Sequence, residues 1–176
     1  MTLSTVWTIG HSSRPLEAFL YLLGHYGVQA IADVRRFPGS KRQPSYAQDP
    51  LRAALERRGI HYRWLATLGG RRRPRADSPN IAWRNASFRG YADHMASAEF
   101  SQGMDELLVL ASEQRTAIMC AEAVWWRCHR ALIADALCVA GIEARHVLDA
   151  RQCVPHPLTS PARIVRGGLS YAARAR

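Results

Sequence analysis

At 176 residues the chain is long enough for one compact domain that buries a core without disulfide or metal staples. With 48% hydrophobic and 22% charged residues the composition is that of a globular protein, and no apolar run of about 18 residues suggests a transmembrane helix. Lys+Arg 24 against Asp+Glu 14 leaves a net charge of +10, which points to a phosphate-bearing partner.

Thr5 to Ile9 is β-branched and aromatic and ends at Gly10, the pattern of a strand feeding a turn. Ser12 or Ser13 is expected to cap the next helix, with Pro15 in its first turn. In that helix Leu16, Phe19, Leu20 and Leu23 fall on one stripe, and Gly27 closes it. Gln29 to Val34 reads as the second strand, and the Pro- and Ser-rich stretch from Arg36 to Asp49 as loop. Leu51 to Arg58 is a short helix stopped by Gly59, and Ile60 to Leu65 a third strand.

Leu68-Gly69-Gly70-Arg71-Arg72-Arg73-Pro74-Arg75 opens the most basic loop of the chain, which runs to about Asn85. Phe88 to Met95 and Met104 to Glu113 read as two helical pieces interrupted near Ser101 to Gly103. Thr116 to Cys120 is the fourth strand. A helix with Leu132, Ile133, Ala136, Leu137 and Ala140 on one side follows, and Glu143 to Leu148 is the fifth strand. The expected organisation is a single α/β domain over 1–150 and a loosely attached Pro/Arg-rich C-terminal tail over 151–176.

Strands alternating with helices imply a three-layer sandwich: a mostly parallel sheet of about five strands with helices on both faces. In such sheets ligands bind outside the carboxyl ends of the strands. That rule places Gly10-His11-Ser12, Asp33-Val34-Arg35, the Gly69-Gly70 loop and Cys120-Ala121-Glu122 on one edge.

Thr8-Ile9-Gly10-His11-Ser12, Asp33-Val34-Arg35 with Pro38 and Ser40, Leu68-Gly69-Gly70, and Cys120-Ala121-Glu122 with Cys128-His129-Arg130 resemble, in this order, the family called domain of unknown function 488. The resemblance spans about Thr8 to Leu148. It implies a compact α/β protein of bacterial or archaeal type, for which no activity is established. The arginine-rich segment between Gly70 and Phe88 departs from the family pattern.

His11 and Ser12 lie at a strand-to-helix turn, where backbone N–H groups suit an anion; alone they would be a turn residue and a cap. Asp33 and Arg35 flank Val34, so both side chains point one way: an edge ion pair, or an Arg35 clamp on an anion with Asp33 orienting it. Three readings of Cys120 to Arg130 compete. Cys120 could be a thiolate nucleophile near Arg127 and a helix start, though Glu122 opposes its charge. Cys120, Cys128, His129 and His11 could bind zinc, though the short Cys-x2-Cys spacing is missing and adjacent Cys128-His129 suit one ion poorly. In the preferred reading Glu122 is the acid/base group, His129 and Arg130 bind an anionic substrate, and Cys120 and Cys128 pack beside it. Trp125 and Trp126 are core residues or a stacking platform.

The site expected from the sequence therefore has His11, Glu122 and Asp33 in the chemistry. Ser12, Arg35, Gly69, Gly70, Cys120, Cys128, His129 and Arg130 hold the substrate, without metal or cofactor. Lys41 is the single lysine, and arginine is the side chain that grips phosphate bidentately; an arginine- and alanine-favouring codon bias explains the composition as well. The expected function is an enzyme acting on a phosphate-bearing substrate, a nucleotide or nucleic acid. The alternative is a non-catalytic nucleic-acid-binding protein that docks through Arg71, Arg72, Arg73 and Arg75. Residues 1–8 show no signal-peptide pattern and four cysteines in an unsecreted chain are expected as thiols, so the expected location is the cytoplasm.

Overall fold

The computed structural model describes residues 5–173. Its central sheet has six strands: β1 (Thr5–Gly10), β2 (Ala30–Asp33), β3 (His61–Trp64), β4 (Thr116–Cys120), β5 (Glu143–Val147) and β6 (Cys153–Pro155). They lie in the order β3-β2-β4-β1-β5-β6. The first five are parallel, and β6 runs antiparallel to β5.

The sheet is covered on both sides because its strands are apolar on both faces. In β4, Ile118 and Cys120 join a core with helices α3 (Ala86–His94), α4 (Ala98–Glu113) and α5 (Arg130–Val139). Ala117 and Met119 face the opposite core, built on α1 (Leu16–His25) and α2 (Gln48–Glu56). This is the three-layer α/β arrangement implied by the alternation of elements, with one strand more than expected. The chain leaves β1 toward α1 on one face and leaves the neighbouring β4 toward α5 on the other. The two connections diverge and open a crevice at the carboxyl ends of these strands.

Several local expectations are corrected. Pro15, not Ser12 or Ser13, occupies the N-cap of α1, and no side chain caps it. Ser12 instead takes a left-handed turn with φ 48 that lets its N–H reach the Ala121 carbonyl at 3.0 Å. Helix α4 runs unbroken through Ser101 to Gly103, and the interruption falls earlier, at Met95–Ser97. There the Ser97 hydroxyl accepts from the Phe100 N–H, which sets the start of α4. Gly103 is in the helix because it packs against Thr67 and Leu68, with no room for a Cβ.

The segment after residue 150 is not loosely attached. It supplies β6, then a hairpin of β7 (Arg163–Val165) and β8 (Gly168–Ser170), and buries Tyr171 against Trp83. Among the described residues no helix is long and apolar enough to cross a membrane.

Candidate active site

A cavity of about 470 Å³ opens at the carboxyl edge of the sheet. Its walls come from the segments that follow β2 and β3, from the start of α3, and from the loop between β4 and α5. Arg35, Arg36, Arg71 and Arg127 line it, with Glu122 as the one carboxylate among the described residues of the lining. Phe37, Phe88 and Tyr91 supply aromatic surface, and Cys120, Cys128 and His129 lie at its base. Gly70 belongs to the wall for a steric reason: a Cβ there would sit 2.8 Å from His129 Nδ1.

The chemistry concentrates on Cys128. Its Sγ lies 2.8 Å from Cys120 Sγ and accepts from Arg130 Nε at 3.4 Å and from the Arg130 backbone N–H at 3.5 Å. Arg130 is 1% exposed, yet among the described residues no carboxylate pairs with it. Its remaining nitrogens donate to the Glu122 carbonyl at 2.6 Å and to Thr8 Oγ1 at 3.1 Å. A buried guanidinium without a counter-charge is costly, and the Cys128 sulfur is the group in contact that can supply one. Burial alone would raise the Cys128 pKa. The Cys120 hydrogen bond, the Arg130 charge and the start of α5 outweigh it and bring the thiol down to about 6. Cys120 moves the other way, well above its ordinary value, through burial and the proximity of Cys128. The two thiols are thus pushed in opposite directions, with the Arg130 guanidinium and N–H in contact with Cys128.

His129 donates from Nε2 to the Val34 carbonyl at 2.9 Å, which leaves Nδ1 turned toward Cys128 Sγ at 3.6 Å. Burial lowers its pKa, so the ring is neutral at neutral pH.

Asp33 and Arg35 form a closed buried unit. Arg35 Nε and Nη2 grip both carboxylate oxygens at 2.9 and 2.7 Å, and Tyr62 OH donates to the same carboxylate at 2.6 Å. Arg35 Nη1 donates to the Tyr46 carbonyl at 2.7 Å and lies 3.4 Å from His11 Nε2. His11 stacks on the Tyr46 ring, and its Nδ1 donates to the Ser12 carbonyl at 2.9 Å. Both His11 nitrogens are thus engaged inside the wall, behind Arg35. Ser12, Asp33, Gly69 and Arg130 likewise support the cavity from behind rather than line it. Of the arginine loop, Arg71 reaches the cavity, while Arg72 pairs with Glu99 and Arg75 with Asp77. Arg73 is exposed away from the lining, and Asp93 pins the loop through the Arg75 N–H, Ser78 and Asn80.

Sequence reasoning missed a buried polar line behind Arg130. Thr8 Oγ1 meets His146 Nδ1 at 2.6 Å, His146 Nε2 meets His156 Nδ1 at 2.9 Å, and His156 Nε2 meets Asp135 Oδ1 at 2.9 Å. Thr159 and Tyr171 donate to the other Asp135 oxygen. Arg130 donates to Thr8, and the two imidazole rings continue the connection from Thr8 to Asp135. Burial and the neighbouring His156 and Arg130 push the His146 pKa down to about 3, so that ring stays uncharged. Trp125 stacks on it with ring centroids 4.4 Å apart, while Trp126 faces solvent. The available signal was His146 itself, a histidine on the inward side of a strand, where β5 buries Ala144 and exposes Glu143.

Among the described residues no group of three or more His, Cys, Asp or Glu side chains is arranged to hold a metal ion. A family model described as Domain of unknown function DUF488 matches residues 15–137. The chain belongs to the DUF488 family. The match is narrower than the Thr8–Leu148 span of the sequence resemblance and leaves β1 and β5 outside it. No curated protein and no solved structure matches. For this DUF488 chain the chemistry must therefore be read from the site itself.

Proposed function

We propose that this DUF488 protein is an enzyme that acts on a phosphate-bearing substrate, a nucleotide or a nucleic-acid end, through nucleophilic attack by Cys128. The observation that carries the reading is the buried Arg130 guanidinium, in contact with Cys128 Sγ and, among the described residues, with no carboxylate, behind an arginine-lined cavity. A thiolate held at neutral pH is a nucleophile ready for covalent catalysis.

The rim supports an anionic substrate. Arg36, Arg71 and Arg127 have no carboxylate partner among the described residues. They suit phosphate oxygens, and Phe37 and Phe88 offer faces on which a base can stack. In the first half-reaction the Cys128 sulfur bonds to phosphorus as the bond to the leaving oxygen breaks. In the second, water displaces the sulfur. Glu122, on the cavity lining, moves the proton in each half-reaction. Asp33, Tyr62 and His11 hold Arg35 in place, and His129 holds the floor against Val34. Free thiols of this kind suit a reducing compartment, in keeping with the cytoplasm.

Alkylation tests the nucleophile. Iodoacetamide is expected to label Cys128 with a rate that rises through a midpoint near pH 6 and then levels, because the thiolate is the reacting form. Peptide mapping identifies the site, and a midpoint near 9 would remove the reading. Cys128→Ser is expected to abolish turnover in a panel of phosphomonoesters and nucleotides, with turnover by wild type as the reference.

A second reading, binding of nucleic acid without catalysis, is favoured by the exposed arginines 71, 73, 75 and 84, of which Arg71 lines the cavity, together with the charge of +10. A labelled single-stranded oligonucleotide is then expected to bind with an affinity that falls steeply as salt rises from 50 to 200 mM, by roughly tenfold or more for three or four phosphate contacts. Flat salt dependence in anisotropy titrations would count against it.

A further inference from the structure

The cavity floor holds two sulfurs in contact, which is more than a single-cysteine nucleophile requires. We propose that the pair carries a second activity, the reduction of small anionic disulfides, with Cys128 as the attacking and Cys120 as the resolving sulfur. The proposal rests on the same Cys128 thiolate as the proposed function, but not on phosphate chemistry.

The geometry supplies each requirement. Cys120 and Cys128 end β4 and precede α5, so two rigid elements hold the sulfurs 2.8 Å apart. A disulfide bond is about 2.05 Å long, so closure needs a shift of under about 1 Å. Both sulfurs are buried from bulk solvent but line the cavity, so a small molecule reaches them through it while a protein disulfide does not. The arginines at the mouth select carboxylate-bearing disulfides, such as those of γ-glutamyl-cysteinyl peptides.

The step balances without metal or nucleotide. The Cys128 thiolate attacks one sulfur of R–S–S–R, forming Cys128–S–S–R and expelling RS⁻. Cys120 then attacks Cys128 Sγ, its proton passes to the departing sulfur, and RSH leaves. The dithiol has lost two electrons and the substrate disulfide has gained them. A low-molecular-weight thiol returns the Cys120–Cys128 disulfide to the dithiol by the reverse exchange.

The surroundings also bear on the equilibrium. Oxidation removes the thiolate and leaves the Arg130 guanidinium buried with no anion in contact. This stabilises the reduced form, so the Cys120–Cys128 disulfide accumulates only while the substrate disulfide is in large excess over free thiol, and added thiol re-reduces it quickly.

Oxidised glutathione is the probe. Wild-type protein freed of small thiols is incubated with it in large excess, quenched with acid, digested with trypsin without reductant and analysed by mass spectrometry. Cleavage after Arg127 puts Cys120 and Cys128 on separate peptides that only a disulfide can join. The expected result is that joined peptide, with two thiols released for each protein chain. Cys120→Ser is expected to stop at glutathione bound to Cys128. Glutathione remaining on Cys128 in the wild type, or no reaction at either sulfur, would overturn the proposal. Iodoacetamide labelling with a midpoint near pH 6 in the same preparation would then leave the phosphate reading standing, whereas loss of that labelling removes both. The wild-type mapping decides the matter even if the variant does not fold.

Discussion

Arg130→Met is expected to return Cys128 to a protonated thiol and slow its alkylation at pH 7 by about 100-fold. A thiol that titrates near 6 is roughly nine-tenths thiolate at pH 7, and one near 9 about one-hundredth. The groups that face Cys128 explain why Arg130 decides this. Cys120 reaches it from β4 as a neutral donor, His129 from the start of α5 as a neutral ring, and Tyr91 from α3 as a phenol whose ionisation burial suppresses. Arg130 is the cation among them. Methionine keeps much of the volume and removes the charge together with the Nε–H donor. Rates are read from a pH series of iodoacetamide labelling, with the midpoint moving from near 6 to 9 or above. A midpoint that stays near 6 would show that Arg130 is not the counter-charge.

Asp135→Ala is expected to cost about 4 kcal/mol of folding stability, out of an ordinary total of about 5–15 kcal/mol. The carboxylate is fully buried and receives His156 Nε2, the Thr159 N–H and hydroxyl, and Tyr171 OH. Alanine leaves all four donors without an acceptor in a site closed to water, and removes the negative end of the line that begins at Arg130. Urea unfolding of the variant beside Tyr171→Phe, which removes one donor and is expected to lose about 1.5 kcal/mol, separates loss of the acceptor from loss of a single bond. Equal losses in the two variants would mean that Asp135 matters only through Tyr171.

What the sequence exposes here is local. The leucine and phenylalanine stripe of α1, the apolar run of β4 and the glycine at 27 each carry their own signal in a window of a few residues, and these elements form where that signal lies. The same holds for the clustering of Arg35, Gly70, Cys120, Glu122 and His129 at one edge of the sheet, which follows from topology once the strands are placed. Roles inside the cluster do not follow from it. Cys120 and Cys128 differ in their contacts, Cys128 with the Arg130 Nε–H and N–H and Cys120 with the Glu122 N–H, a matter of side-chain direction at the end of β4 and the first turn of α5. Asp135, His146 and His156 lie on a helix, a strand and the returning C-terminal segment. Each is unremarkable in its own window, and only the antiparallel docking of β6 brings His156 to the others. That docking gave little sequence signal, because β6 is three residues long and ends in proline.

The central position of β1 bears on how the molecule assembles. Its neighbours are β4 and β5: Trp7 pairs with Ala117 on one side and Arg145 on the other. The first strand made must therefore wait, unpaired on both edges, until most of the chain has been synthesised. Local helix formation in α1 and pairing of β2 with β3 can proceed early, but the centre of the sheet closes last, by contacts of large sequence separation. Such closure is slow and leaves apolar strand edges open in the interval, so this order of strands makes refolding rate and chaperone dependence sensitive to the residues of β1.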